Sequence, residues 1–159
     1  MANMIAPDVA WNGLLAQVKG ATPEIFGAND HVFNLIEGDW GYPGHGKHYF
    51  SSVDGTTLGV MPMIDLETAR RAVRFAAEEQ RAWAQVDLDQ RRSRVSACLA
   101  GLREHRDLLA RLLIWEIGKT YAAAQVDVDR CISGVEWYVD KVEQMLVGRR
   151  PIGLISNID

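Results

Sequence analysis

The last residues of the sequence constrain the fold most strongly. Residues 152–158 read Ile-Gly-Leu-Ile-Ser-Asn-Ile, and apolar side chains are nearly continuous at the start of this run. Such a run is typical of a strand that is buried on both faces, as in a parallel sheet covered by helices. Helical patterns precede this predicted strand along the chain.

A block rich in β-branched and aromatic residues lies in the first half of the chain. Three short segments, 31–40, 47–53 and 58–63, are separated by Gly, Pro and Asp residues that mark turns. Asp54 and Gly55 form a dipeptide that favours a tight hairpin turn. The pattern predicts a small antiparallel meander over residues 31–63.

Helical patterns flank this block on both sides. Residues 8–19 place Trp11, Leu14, Leu15 and Val18 on one face of an amphipathic helix. Beyond the block we predict four further helices. They start at Asp65, at Asp87 or Asp89, at Arg106 and near Thr120, and Gly118 separates the last two.

Each of these helices carries an apolar stripe that we expect to be buried. In the helix after Asp65 the stripe is Leu66, Ala69, Val73, Ala76, Ala77 and Trp83. In the next helix it is Val95, Cys98, Leu99 and Leu102. In the last helix it is Val128, Ile132, Val135, Tyr138, Val139, Val142, Met145 and Leu146.

The composition excludes several classes of function. Hydrophobic residues make up 48% of the 159 residues, and the net charge of −4 gives no basic footprint for nucleic acid or for a membrane surface. No apolar run approaches the ~18 residues that span a bilayer, and residues 1–10 lack the pattern of a signal peptide. Two cysteines are too few for a disulfide framework, so we expect a cytoplasmic protein.

A glycine-rich stretch nearly matches a phosphate-binding loop. Residues 41–48 read Gly-Tyr-Pro-Gly-His-Gly-Lys-His, with His48 where that loop needs a hydroxyl. The residues that follow are strand-like, so the loop lacks the helix N-terminus that holds phosphate. We therefore interpret residues 41–46 as a turn or loop between strands.

Other reactive side chains have structural explanations. His45 and His48 are two loop residues, fewer than the three or four ligands of a zinc site, so we predict no metal. Cys98 and Cys131 have no residue placed to activate them, and we expect Cys98 to be a small buried hydrophobe. The arginines between residues 91 and 111 alternate with acidic residues and predict a solvated helix face.

Several motifs, in order, resemble the N-terminal portion of the NAD(P)-dependent aldehyde dehydrogenases. Residues 34–40 are similar to the opening strand of that family and residues 50–62 to its next strands. Ala72-Val73 and Ala76-Ala77 match its first long helix. Glu116-Ile117-Gly118-Lys119 matches the family's E-x-G-K motif.

The resemblance implies an α/β fold and a cofactor. An N-terminal β-hairpin region and helices would form the first part of a Rossmann-like cofactor domain, residues 31–159, preceded by an extension of residues 1–30. The family binds NAD or NADP. Ile155, Ser156 and Ile158 lie on or beside the segment that lines the nicotinamide side of the cofactor cleft in relatives.

The resemblance also implies that the catalytic residues lie elsewhere. The family's nucleophilic Cys, general-base Glu and oxyanion-stabilising Asn follow this segment, so we assign no catalytic residue in this chain. The first hypothesis is an N-terminal fragment of an aldehyde dehydrogenase that is inactive alone. The alternatives are a noncatalytic helical interaction module and one half of a split enzyme. An exposed strand 152–158 would promote self-association or pairing with a second chain.

Overall fold

The computed structural model describes residues 10–41 and 44–146. Within them the chain forms two β-hairpins and five α-helices. The strands are β1 (Asn34–Ile36), β2 (Asp39–Gly41), β3 (His45–Phe50) and β4 (Thr57–Met63). The helices are α1 (Trp11–Ala21), α2 (Leu66–Gln85), α3 (Leu88–Glu104), α4 (Arg106–Ile117) and α5 (Tyr121–Leu146). Two short 3-10 turns, Pro23–Ile25 and Ala28–Asp30, connect α1 to β1.

The strands form two separate antiparallel pairs, so the predicted meander is wrong. β1 pairs with β2, and β3 pairs with β4. The predicted strand over residues 31–40 is broken at Glu37 and Gly38, whose φ angles of 57° and 90° turn the chain back on itself. A residue at positive φ cannot continue a strand. The two hairpins are held near each other through His31, which forms a parallel bridge to Val60.

The local signals for turns and helix starts are confirmed. Asp54 and Gly55 lie in the β3–β4 connection, where Thr56 N donates to Asp54 Oδ1 at 2.9 Å. Asp65 Oδ1 accepts a hydrogen bond from Thr68 N at 2.7 Å and caps α2. Asp87, rather than Asp89, caps α3. These side chains satisfy backbone N–H groups that a helix or turn leaves free.

α4 lies at the centre of the packing and buries two faces. One face, with Ala110 and Ile114, packs against α3 and α5. The opposite face, with Trp115, packs against α1 and β4. We call these two clusters together the α4 core. Its buried members are Trp11, Leu14, Leu58, Leu99, Ala110, Ile114, Trp115, Ala124, Val128 and Ile132.

The predicted stripes are buried only near α4. On α2, Leu66 and Val73 are 65% and 59% exposed, and Thr68 is the buried residue of that helix. On α5, Val128 and Ile132 are buried as expected, but Tyr138 near the C-terminal end is 62% exposed. Periodicity correctly groups these residues on one face, but within the described residues no element covers that face.

The sequence also predicts a C-terminal strand, a division at residue 30 and no membrane span. The strand predicted over 152–158 lies outside the described residues. The division between residues 1–30 and 31–159 stays a prediction, although Trp11 and Leu14 of α1 join the same cluster as Leu58 and Trp115. In the described part of the chain, no helix is both long enough and apolar enough to cross a bilayer.

Candidate functional site

The E-x-G-K motif ends α4 and turns the chain into α5. Gly118 takes the left-handed conformation (φ 70°, ψ 24°), and its N–H donates to Ile114 O at 2.9 Å. Left-handed backbone favours glycine because other residues suffer a clash of Cβ. Lys119 forms an ion pair with Asp127 on α5. The motif therefore sets the angle at which the two helices meet.

Ser51 and Ser52 follow β3 directly and cap the C-terminal end of α4. Ser51 Oγ donates to Trp115 O at 2.7 Å, and Ser52 Oγ donates to Glu116 O at 3.2 Å. The last carbonyl groups of a helix accept no hydrogen bond from within the helix, and these two serine hydroxyls donate to carbonyl groups at that end of α4. Sequence reasoning missed this contact, because only the fold brings residues 51 and 115 together.

A pocket of about 210 Å³ opens beside this motif. It lies between α1, the hairpin of β3 and β4, and α4. Its walls are mostly apolar, and Glu116 brings a carboxyl group to them. The lining residues are Trp11, Leu15, Val18, Ile25, Phe26, Val32, Tyr49, Leu58, Gly59, Met61, Leu112 and Glu116. We call this the Glu116 pocket.

The Glu116 pocket perturbs both of its titratable side chains. Burial raises the pKa of Glu116 above its ordinary value of 4.5, because the charged carboxylate loses hydration. Burial also raises the pKa of the Tyr49 phenol, and the charge of Glu116 raises it further. A perturbed carboxyl group in a cleft is a candidate for function.

The chemistry available in the Glu116 pocket is limited. Neither Ser nor Cys nor His lines it, so among its residues the pocket has a carboxyl and a phenol but no nucleophile activated by a base. Ser51, which is close along the chain, already donates its hydroxyl to Trp115 O. The geometry therefore supports a structural and electrostatic role for Glu116 at the junction of α1, β3 and α4.

The glycine-rich stretch is part of a hairpin. β3 begins at His45, two residues before the predicted start at Lys47, so the turn predicted over residues 41–46 is shorter than expected. His45 and His48 lie in a strand and not in a loop. Gly44 has φ 98°, and a Cβ atom there would lie 2.2 Å from Met63 O. Glycine is required here because two strands approach closely. The backbone of β3 pairs with β4, so it does not form a phosphate cradle.

The reactive side chains singled out from the sequence do not converge. Among the residues that the structure describes, no group of three or more His, Cys, Asp and Glu residues could hold a metal ion. Cys98 is exposed, so the expectation that it is a buried hydrophobe is wrong, and Cys131 is exposed too. Cys98 Sγ contacts Arg94 O at 3.7 Å within its own helix. On α3, its neighbour Leu99 turns into the core instead.

The cofactor-binding prediction is not tested by the described residues. Ile155, Ser156 and Ile158 lie outside them. Within residues 10–41 and 44–146, the glycine-rich hairpin does not fit a dinucleotide, because that fit needs a strand leading through a tight turn into a helix N-terminus.

The aldehyde dehydrogenase family model matches residues 45–156. The chain is 25% identical over 140 residues to the NADP(+) succinate-semialdehyde dehydrogenase of Escherichia coli, covering 78% of this chain and 29% of that protein. It is 30% identical over 128 residues to malonate-semialdehyde dehydrogenase 3 of Geobacillus kaustophilus, covering 79% of this chain and 26% of that protein.

A solved structure gives the same picture of the fold. The crystal structure of an aldehyde dehydrogenase from Brucella melitensis biovar abortus superimposes with a TM-score of 0.68 at 21% identity, covering 77% of this chain and 25% of that one. The likeness shows the fold: the two hairpins and the helices are an α/β segment of a larger domain. The chain spans about a quarter to a third of the length of these relatives.

Proposed function

Because the chain belongs to the aldehyde dehydrogenase family, we propose that it forms the N-terminal part of an NAD(P)-dependent oxidoreductase that acts on aldehydes. The match of the family model to residues 45–156, most of the sequence, carries this proposal. The E-x-G-K motif and every buried member of the α4 core except Trp11 and Leu14 lie inside the matched range. Their role in the proposal is to hold α4, α5 and the β3–β4 hairpin in a fixed arrangement.

The proposed cofactor is NAD or NADP, which would accept a hydride from the aldehyde. The proposal leaves the chemical step to residues outside those described here, because the nucleophilic Cys, general-base Glu and oxyanion-stabilising Asn of the family follow this segment. The predicted contacts of Ile155, Ser156 and Ile158 with the nicotinamide side of the cleft belong to this proposal. Two relatives are named for succinate and malonate semialdehyde, so semialdehydes that carry a carboxylate are the first substrates to test.

We propose that the partner of this segment is the remaining part of an aldehyde dehydrogenase domain, in the same or in a second chain. The exposed apolar residues Leu66 and Val73 of α2 and Tyr138 of α5 support this proposal, because exposed apolar side chains on a helix face are candidates for coverage by another element. The strand predicted over 152–158 would pair with the same partner. Free, exposed Cys98 and Cys131 suit a reducing compartment, and the proposal places the protein in the cytoplasm.

The proposal is tested by isolating the protein from its own cells with an antibody against α5. Its intact mass and its reduction of NAD⁺ or NADP⁺ with succinate semialdehyde are then measured together. We expect activity only in species much heavier than 17.7 kDa, or in complexes of the 17.7 kDa chain with a second polypeptide. Turnover by the purified 17.7 kDa chain alone would contradict the assignment of catalysis to other residues. A heavier species without activity toward any aldehyde would contradict the proposal that the protein is an aldehyde oxidoreductase.

A further inference from the structure

α1 lies on an apolar site that the chain itself fills. Leu58 of β4 and Trp115 of α4 form this site, and α1 places Trp11 and Leu14 on it. The side chain of Leu14 is fully buried, and the rings of Trp11 and Trp115 lie 5.9 Å apart. Docking of an amphipathic helix on an apolar groove is a common mode of recognition between proteins. The structure therefore shows both the site and the segment that fits it.

A short turn connects α1 to the part of the chain that forms this site. Phe26 and Val32 form an antiparallel bridge, and the turn lies between them. Gly27 N donates to His31 O at 2.8 Å across the turn. When such a short turn is strained, it is a place where two copies of a chain can exchange the segment that precedes it.

The turn holds two consecutive residues in left-handed backbone. Asn29 has a φ of 57° and Asp30 a φ of 59°. Residues other than glycine visit this region as single residues, because the Cβ atom comes too close to the following carbonyl oxygen. Opening the turn relieves the backbone at both residues. It costs the hydrogen bonds across the turn and the ion pair between Lys19 and Asp30.

We propose that α1 exchanges between two copies of this chain, so that α1 of each copy docks on Leu58 and Trp115 of the other. In this exchanged dimer the contacts of Trp11 and Leu14 reform between the copies, as does the bridge that flanks the turn. The closed monomer and the exchanged dimer therefore differ mainly at the turn. Because the turn is strained only when it is closed, the dimer gains population as the protein concentration rises. The exchange does not depend on the proposed oxidoreductase activity.

Mixing two variants of the 159-residue chain tests the exchange. Trp11→Phe and Trp115→Phe each keep an aromatic ring in the site but remove one member of the tryptophan pair. When the mixture is warmed and cooled at high protein concentration, an exchanged mixed dimer joins an intact Trp11 to an intact Trp115. We expect the near-ultraviolet circular dichroism of this pair to appear in the mixture, together with a dimer in sedimentation.

Association through another surface gives a different result. A dimer that leaves each α1 on its own chain cannot join an intact Trp11 to an intact Trp115, so the spectrum of the mixture would equal the mean of the two variants. That result would overturn the proposal. A chain that stays monomeric at every concentration measured would also overturn it.

Variants of the turn test the role of its backbone. Asn29→Gly removes the Cβ atom that left-handed backbone disfavours, and the dimer fraction should fall at least about threefold. Asn29→Ala should raise it, because alanine tolerates this conformation less well than asparagine. Glu37→Gly is the matched control, since Glu37 also has a φ of 57° but lies between β1 and β2, and it should leave the dimer fraction unchanged. The same dimer fraction in all three variants would contradict the proposal.

Discussion

α4 and α2 both carry apolar residues at helical spacing, but their surroundings differ. α4 packs one face against α3 and α5 and the other against α1 and β4. α2 leaves Leu66 and Val73 exposed, and its described links include the ion pair of Arg71 with Glu37 at 2.9 Å. The comparison teaches that equal helical periodicity gives a buried core at α4 but, among the described residues, an uncovered apolar face at α2.

The sharpest way to break this comparison is one substitution made in both regions. Leu14→Ala removes a fully buried side chain from the α4 core and should lower the free energy of unfolding by about 2–5 kcal/mol. Leu66→Ala removes the same atoms from the exposed face of α2 and should change the free energy of unfolding by less than about 0.5 kcal/mol. Urea denaturation of both variants measures the difference. Equal losses would mean that α2 is packed as tightly as α4.

The next largest effect is expected for the two serines that cap the C-terminal end of α4. Ser51→Ala leaves the carbonyl of Trp115 without its buried partner and should cost about 1–3 kcal/mol of unfolding free energy. Ser52→Ala is the matched control, because its bond to Glu116 O is longer and exposed. Denaturation should show a much smaller loss for the control, and a larger loss for Ser52→Ala would contradict the assigned roles.

Two glycine substitutions test why the E-x-G-K motif has a glycine at position 118. Gly118→Ala places a Cβ in left-handed backbone and should destabilise the chain by about 1–2 kcal/mol. Gly134→Ala lies within α5, where nothing is within 4 Å of the new Cβ, and should stabilise it by about 0.5–1 kcal/mol. Thermal unfolding should therefore shift in opposite directions. A shift in the same direction for both would show that the turn at Gly118 is not the reason for the glycine.

The smallest expected effect depends on pH. The raised pKa of Glu116 means that the folded chain holds this proton more tightly than the unfolded chain. The stability from this group is fully present below its ordinary pKa of 4.5 and is lost as pH rises through the raised value. Glu116→Gln should therefore raise the melting temperature relative to the original chain more at pH 7 than at pH 4.

The matched control is Glu78→Gln, on the exposed surface of α2, which measures the effect of the same chemical change away from the Glu116 pocket. Other carboxyl groups act in the opposite sense. Hydrogen bonds from Tyr121 and Arg111 lower the pKa of Asp107, so its stabilisation is present above the ordinary value of 3.8 and is lost as pH falls. Taking the difference between each variant and the original chain removes this common contribution. If the melting temperature of Glu116→Gln relative to the original chain did not change with pH, burial of the Glu116 carboxylate would carry no electrostatic penalty.

Signals that act over a few residues were predictable from the sequence. Asp65 caps α2, Asp54-Gly55 turns the second hairpin, and Gly118 ends α4, because each of these depends on backbone geometry within one turn. The α/β class and the family resemblance rest on the order of such signals and agree with the comparisons.

Contacts between distant elements were not predictable in the same way. The periodicity of Val73 and of Cys98 assigns a face to each residue but cannot say whether another element covers that face, and both are exposed. The bond from Ser51 to Trp115 O joins residues 64 positions apart. The Glu116 pocket needs α1, whose contact with α4 follows from tertiary packing rather than from local pattern.

Amide hydrogen exchange of the 159-residue chain tests the central claim most directly, because it compares the stability of α4 and α2 in one experiment. The account predicts that the amides of Ile114 and Val128 exchange only through global unfolding, whereas those of Val73 and Phe75 exchange through local opening at much lower free energy. Equal protection of α2 and α4 in the isolated chain would contradict the division between a complete core and an open face.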